Sequence, residues 1–415
     1  MTIDLARWIQ PGDSVLWNQC TAEPLTLTEA LVRQRSAIGP CSVFVGPTYT
    51  QTLQPEHADY LSMLSYCGIG ENRKLIEAGV MQVIPTHCSQ VDQLLADGSI
   101  KADVVFLHLS PEGPDGRRSL GTANDYLVTA AKRARVVIAE VNEQMPWTLT
   151  AHALAGIKID AIVQSDRPLV ELSRSAITEV EVRIAQYAAE FIPDRSVLEM
   201  GVGAIPESIL GALTERRDLG IHTGMLGDVA VDLIESGAVT NAFKTLDRGL
   251  TTTGLLMGTA RLYNFARHNA LLNIQPFGYV HAHATLAQLD HFVAINSAIE
   301  VDLTGQVGAE VINGKYLGAT GGQVDFMRGA QMAKYGRSII ALPSATKDGQ
   351  LSRIVLNLQG PVTGLRTDAD IVVTEWGSAQ LKGQTLQERV KRMIAIAHPA
   401  HRERLAKEVH ERGVR

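Results

Sequence analysis

Short apolar runs alternate with stretches of helical period along the whole chain. Residues 103–109 (Asp-Val-Val-Phe-Leu-His-Leu) and 135–142 are almost continuously apolar, the pattern of parallel strands covered on both faces. Shorter runs at 15–17, 42–46, 80–84 and 160–163 predict further strands before residue 192, and those at 196–200, 219–222, 252–257, 338–342, 351–356 and 370–375 predict strands after it. Helices are predicted from the Thr26-x-x-Glu29 capping pattern, at 71–78, 124–134 and 178–190, with Pro206 at a first helical position, at 227–236 and 326–333, and from Ala395 onward. Strand and helix alternate throughout, which predicts an α/β protein with open, mainly parallel sheets. The Ile192-Pro193-Asp194 break suggests two domains, 1–192 and 193–415.

One strand in this pattern is unusual. Residues 295–303 read as a single strand, with Ile295, Ile299, Val301 and Leu303 apolar, yet Glu300 lies in its middle. From that segment alone the carboxylate reads as a half-exposed strand position. The glycine-rich turn Gly318-Ala319-Thr320-Gly321-Gly322 downstream changes the picture, since such a turn brings backbone N–H groups close to a ligand or an oxyanion. Other polar groups fall where strands end, the edge at which open α/β sheets bind ligands. They are Glu23 in the loop 19–24, and Glu140 and Asn142 closing their strand. Taken alone, Glu23 reads as a solvated loop acid, and Glu140 and Asn142 as bonded to the loop that follows.

Gly201-Val202-Gly203 between a strand and a helix predicts an anion-binding turn. A dinucleotide fingerprint needs a third glycine and an acid closing the next strand. Both are missing, which argues against a dehydrogenase. His281 and His283, with His291 beyond them, lack a third ligand at metal-site spacing, so no metal is expected.

Bulk composition narrows the alternatives. With 415 residues, 20 % charged residues and a net charge of −6, the chain lacks the basic footprint of a nucleic-acid binder. No run reaches the apolar length of a membrane span. Cys20, Cys41, Cys67 and Cys88 show no metal or redox spacing, and the start at Met1 carries no signal or import pattern, so reduced thiols in a cytoplasmic protein are expected.

Read together, 296–303, Gly321-Gly322-Gln323-Val324-Asp325-Phe326, Ser352-Arg353-Ile354-Val355, 372–377 and Ile396-Ala397-His398-Pro399 resemble the acetyl-CoA hydrolase/transferase family of class I CoA-transferases, near its 4-hydroxybutyrate CoA-transferase group. Weaker likenesses run through 19–24, 140–142 and 201–206. The resemblance implies two similar open α/β domains with the active site between them. It implies acyl-CoA:carboxylate CoA transfer by a ping-pong route through a glutamyl-CoA thioester, on either 4-hydroxybutyrate/acetate-type acids or itaconate or another dicarboxylate with succinyl-CoA. An acyl-CoA hydrolase on the same scaffold is the alternative, and a non-catalytic CoA-binding subunit would require loss of the nucleophile.

By the resemblance, Glu300 is the nucleophile, Gly322 supplies an oxyanion N–H and Glu375 is the orienting acid. Gly318, Gly321, Gly322, Lys347 and Arg353 would contact CoA, and Glu23, Asn142 and Gly203 the acid substrate. No cofactor is implied beyond the CoA thioester itself, and a homodimer or higher homo-oligomer is expected. Two places depart from the family. Much of it carries an acid where Gly224 stands, so the acid pocket here is expected to be larger, and 278–283 is less typical, leaving His281 and His283 as candidate partners for a dicarboxylate.

Overall fold

The computed structural model describes residues 3–412. Met1 and Thr2, part of the N-terminal segment read above, and the last three residues of the predicted terminal helix lie outside it. The chain divides into two compact units.

The first unit is built on seven strands: β1 (Ser14–Trp17), β2 (Cys41–Val45), β3 (Leu61–Ser65), β4 (Met81–Val83), β5 (Val104–Leu109), β6 (Val136–Asn142) and β7 (Ala161–Ser165). Their order is β4-β3-β2-β1-β5-β6-β7 and every pairing is parallel. All residues of β1, β5 and β6 are buried, as their unbroken apolar runs require. The order reverses direction between β1 and β5. Loops leaving the carboxyl ends of those strands therefore diverge, opening the crevice where such sheets take ligands.

The second unit contains β8 (Val197–Met200) and β9 (Gly220–Leu226), whose paired residues belong to it. The first unit takes back 224–228 and 252–280, which hold most of β10 (Thr251–Leu256) and all of β11 (Leu272–Ile274). Hydrogen bonds show why: Asn124 N–H donates to the Gly254 carbonyl, Leu256 N–H to Thr122, and Leu172 N–H to Gly258. The second unit continues through β12 (Phe292–Ser297), β13 (Glu300–Asp302), β14 (Val307–Gly308), β15 (Val311–Ile312), β16 (Lys315–Tyr316), β17 (Arg337–Ala341), β18 (Ile354–Val355), β19 (Ile371–Thr374) and β20 (Gly377–Gln380). In its main sheet β9, β8, β12, β17 and β19 run parallel in that order, and β20 closes the edge antiparallel to β19. This sheet too reverses its order, between β8 and β12.

Several expectations are corrected. The compact units part after Ser173 rather than at residue 192, because the helix Glu179–Ala189 packs on the helix Ala204–Gly211 and on β19, both in the second unit. The predicted strand 295–303 is two strands. β12 belongs to the main sheet, the chain turns at Ala298-Ile299, and β13 joins a separate three-stranded sheet between β14 and β18. The buried Asp302 makes this second strand end sharply, accepting from the N–H groups of Thr304 and Gln306 and from both their side chains.

The predicted strand 351–356 shrinks to Ile354–Val355. The first helix spans Leu25–Ile38, and Thr26 does not cap it. Its N–H and hydroxyl donate instead to Glu140, at 2.8 and 2.7 Å. Pro206 sits at the third helical position, not the first. The terminal helix begins at Pro399, preceded by a separate helix, Leu386–Ile396. Among the described residues no helix is long and apolar enough to cross a membrane.

Candidate active site

Glu300 opens β13, opposite Gly308 of β14, and is 2 % exposed. Its Oε1 accepts the Gln359 N–H at 2.6 Å. Gly308 lies against it closely enough that a Cβ there would sit 3.3 Å from the Glu300 Cγ. The strand pairing thus seats the carboxylate within the three-stranded sheet, with a backbone amide on one oxygen. A carboxylate meeting such a donor is held in one orientation.

The predicted glycine turn divides by task. Gly318 passes so close to the backbone between β14 and β15 that a Cβ would fall 1.9 Å from the Ala309 carbonyl oxygen, and its N–H donates to the Glu310 carbonyl. Only glycine fits there. Gly321 has φ +53, the left-handed region. Gly322 is the N-cap of the helix Gln323–Met332, whose first N–H groups have no intrahelical acceptor. The buried His281 imidazole packs over Gly322, where a Cβ would meet two of its ring atoms at 2.7 Å, and lies tilted against Phe326 with centroids 4.7 Å apart. His283 lies 3.6 Å from the buried Asp325 carboxylate. His281 therefore walls the glycine turn, a role its sequence neighbourhood did not reveal.

Glu375, Lys347 and Arg353 come together. They line one cavity of about 530 Å³ with Thr346, Trp376 and His398, and Glu300 and Gly322 are not part of its lining. The Glu375 carboxylate accepts the Ser344 N–H at 2.9 Å and the Ser344 hydroxyl. Arg353 pairs with no carboxylate among the described residues. Its Nε is buried without a hydrogen-bond partner and its Nη1 reaches only the Ile299 carbonyl, at 3.5 Å. Burial lowers the pKa of this guanidinium. The Arg353 carbonyl accepts the Val301 N–H, so this wall of the cavity adjoins the strand of Glu300.

Gly203 has φ +123 and caps the helix Ala204–Gly211. The helix's own Glu207 accepts the Gly203 N–H at 3.3 Å, so part of the predicted anion-binding turn is already occupied.

In the first unit, Glu23 and Asn142 are both buried. Glu23 accepts the hydroxyls of Thr28 and Thr50, at 2.7 and 2.5 Å, and burial raises its pKa despite these donors. It is a buried acid, not the solvated loop acid its segment suggested. Asn142 donates to the Arg167 carbonyl at 3.0 Å and accepts the Gln144 N–H at 3.0 Å, holding the loop beyond β6. Glu140 instead receives Thr26, as above, and the Ser165 hydroxyl at 2.7 Å. His108 completes this layer. Its Nδ1 faces the Ala22 carbonyl at 3.1 Å and its Nε2 faces the Asn142 amide at 3.2 Å. That arrangement assigns the proton to Nδ1 of a neutral ring, in keeping with the lowering of its pKa by burial.

Glu199 was not singled out by the sequence. It stands on β8 at the point where the second sheet reverses, 4 % exposed, and its Oε2 accepts the Asn296 amide at 2.8 Å and the Ile295 N–H at 3.2 Å. Burial outweighs both donors and raises its pKa to about 8. Its strand reads as an ordinary apolar run, and only the pairing of β8 with β12 removes the carboxylate from water.

Comparison with known proteins matches residues 2–172 to the acetyl-CoA hydrolase/transferase N-terminal domain and residues 258–409 to the C-terminal domain of the same family. The chain is 36 % identical to the 4-hydroxybutyrate coenzyme A transferase of Clostridium kluyveri, over 97 % of this chain and 95 % of that protein. It is 31 % identical to the butyryl-CoA:acetate CoA-transferase of Anaerostipes caccae, over 98 % and 94 %. Among solved structures, RipA from Yersinia pestis superposes with a TM-score of 0.92 at 34 % identity, covering 99 % of this chain and 96 % of RipA. With both domains matched in order and these relatives aligned along nearly its full length, the chain belongs to the acetyl-CoA hydrolase/transferase family.

Proposed function

We propose that the protein transfers CoA from an acyl-CoA to a small carboxylic acid of the 4-hydroxybutyrate/acetate type, through a glutamyl-CoA thioester on Glu300. The observation that carries the transfer reading is the end-to-end likeness to CoA-transferases in both domains.

In the proposed sequence the Glu300 carboxylate attacks the thioester carbonyl. The C–S bond breaks, leaving a mixed anhydride and CoA thiolate. The thiolate attacks the glutamyl carbonyl and expels the first carboxylic acid as its carboxylate, which gives the enzyme thioester. The acceptor carboxylate then attacks that thioester, CoA leaves again as thiolate, and its attack on the new acyl carbonyl regenerates Glu300. Splitting one transfer into covalent steps predicts ping-pong kinetics. The Gln359 N–H holds Oε1 and orients the carboxylate, which leaves Oε2 as the candidate attacking oxygen. The Gly322 N–H is the candidate donor for the oxyanion, a role worth about 3 kcal/mol in the transition state.

Intact mass after incubation with an acyl-CoA tests the proposal. An adduct of CoA mass on Glu300, absent from Glu300→Gln, is expected. Full transferase activity in Glu300→Gln, or an adduct on another carboxylate such as Glu199 or Glu375, would reject Glu300 as nucleophile. Initial rates with and without an acceptor acid separate transfer from hydrolysis.

A further inference from the structure

Glu199 is a buried carboxyl that the steps above do not use. Its Oε2 accepts both the Asn296 side-chain N–H and the Ile295 N–H, which fills the lone pairs of that oxygen. Oε1 accepts no hydrogen bond among the described residues. Burial keeps the group protonated at neutral pH, so the proton belongs on Oε1, where it makes Glu199 a donor. No charged neighbour contributes to this state; burial and the two donors account for it. The ionisable side chains on the adjoining elements are engaged elsewhere. His222 of β9 meets Phe292 edge-on with ring centroids 6.4 Å apart, Glu207 accepts the Gly203 N–H, and Asp325 faces His283 at 3.6 Å.

The surroundings favour an anion. Asn296, which holds Glu199, lies near the carboxyl end of β12, and its neighbour Ser297 accepts the Gln323 side-chain N–H at 3.0 Å. Gln323 Oε1 is buried without a partner, so polar capacity at this strand end is left over on two side chains. The helices Ala204–Gly211 and Gln323–Met332 both pack on β12. The first follows β8, which runs parallel to β12, and the second bonds Ser297 through its first residue, so both N-termini lie at this edge of the sheet. Helix N-termini attract negative charge. Glu300 follows Asn296 by four residues, a span of at most about 14 Å even in a fully extended chain.

We propose that the acceptor acid binds at this strand end with one carboxylate oxygen on the Glu199 O–H, its other oxygen left free to attack the glutamyl thioester. The inference rests on the CoA-transfer reading and gives the second unit two carboxyls with different tasks: Glu300 attacks and Glu199 donates. A carboxylic acid meeting a carboxylate forms a charge-assisted hydrogen bond, whereas an ionised Glu199 would repel the same ligand.

The test measures kcat/KM for 4-hydroxybutyrate as acceptor from about pH 6 to about pH 10 in wild type, Glu199→Gln and Glu199→Ala. Ionisation of Glu199 removes the donor and sets a charge against the acid, so the wild-type value is expected to fall about tenfold per pH unit above about pH 8. Glu199→Gln offers an N–H donor, keeps an oxygen for Asn296 and Ile295, and cannot ionise, so this fall is expected to vanish. Glu199→Ala loses the donor at every pH, and its KM for the acid is expected to rise about tenfold near neutral pH. A flat wild-type profile, a fall that Glu199→Gln shares, or a wild-type KM in Glu199→Ala overturns the inference and leaves the transfer reading intact. If wild type transfers no CoA, the transfer reading fails, and calorimetric titration of 4-hydroxybutyrate at about pH 7 and about pH 9 decides alone. Binding that weakens at the higher pH in wild type but not in Glu199→Gln supports the site, and an equal loss in both or no binding at all overturns it. Because Glu199→Gln preserves the acceptor for both backbone-ordering donors, it carries the test even if Glu199→Ala does not fold.

Discussion

Glu199 offers a prediction whose sign and size follow from its surroundings. Burial between β8 and β12 raises its pKa from 4.5 to about 8, against the pull of the Asn296 and Ile295 donors. At neutral pH the folded protein therefore keeps a proton there that the unfolded chain gives up. With the folded pKa raised, the associated stability is fully present below about pH 4.5 and is lost as pH rises through about 8. Inside that window each pH unit removes about 1.4 kcal/mol.

Glu199→Gln keeps an oxygen for the two donors and cannot ionise, so this slope should vanish. From about pH 5.5 to about pH 7.5 the variant should gain roughly 3 kcal/mol on wild type. Thermal melts across that range read the difference. At about 2–4 °C per kcal/mol for a cooperative unit of roughly 150–250 residues, the gap in Tm should widen by about 5–10 °C. A gap that stays flat would mean that Glu199 is ionised in the folded protein, with its donors outweighing burial, and the argument from burial would be wrong.

Three other outcomes are expected. Gly322→Ala drives a methyl into the buried His281 ring and should cost about 1–3 kcal/mol, seen as a lower Tm, together with a slower transfer rate; an unchanged Tm would show that His281 yields freely. Glu140→Ala strips the acceptor from the Thr26 N–H, the Thr26 hydroxyl and the Ser165 hydroxyl, and should destabilise by about 3 kcal/mol in denaturant unfolding. Gly224→Glu restores the acid that the family resemblance places there and should narrow the acceptor range toward shorter acids in a rate profile. If the variant instead gains turnover and the CoA adduct moves to position 224, Glu300 is not the covalent carboxylate.

The resemblance to the family was visible in the motifs from Asn296 onward, and the alternation of strand and helix was visible in the apolar runs. β5 and β6 are plain because a strand buried on both faces must be apolar throughout, a property written locally. The helix Leu386–Ile396 carries local signals of the same kind, since Thr385 caps it through the Glu388 N–H and Val390, Met393 and Ile396 recur on its buried face.

Other features had no local signature. The run 295–303 looks like one strand because its apolar spacing does not say which sheet each half joins. That was decided by β17, which holds β12, and by β14 and β18, which hold β13. Two-residue strands exist only through their partners, and sequence periodicity cannot mark them. The same holds for the site residues. Glu, Lys and Arg are read as exposed by default, and only packing shows that Glu300, Glu23 and Glu199 are buried while Arg353 is left without a carboxylate partner among the described residues. The sequence by itself determined the family and the alternating α/β plan, since both rest on local patterns. Tertiary structure alone decided which carboxylates lose water and which cations face a cavity, because desolvation and pairing are set by groups far apart in the chain.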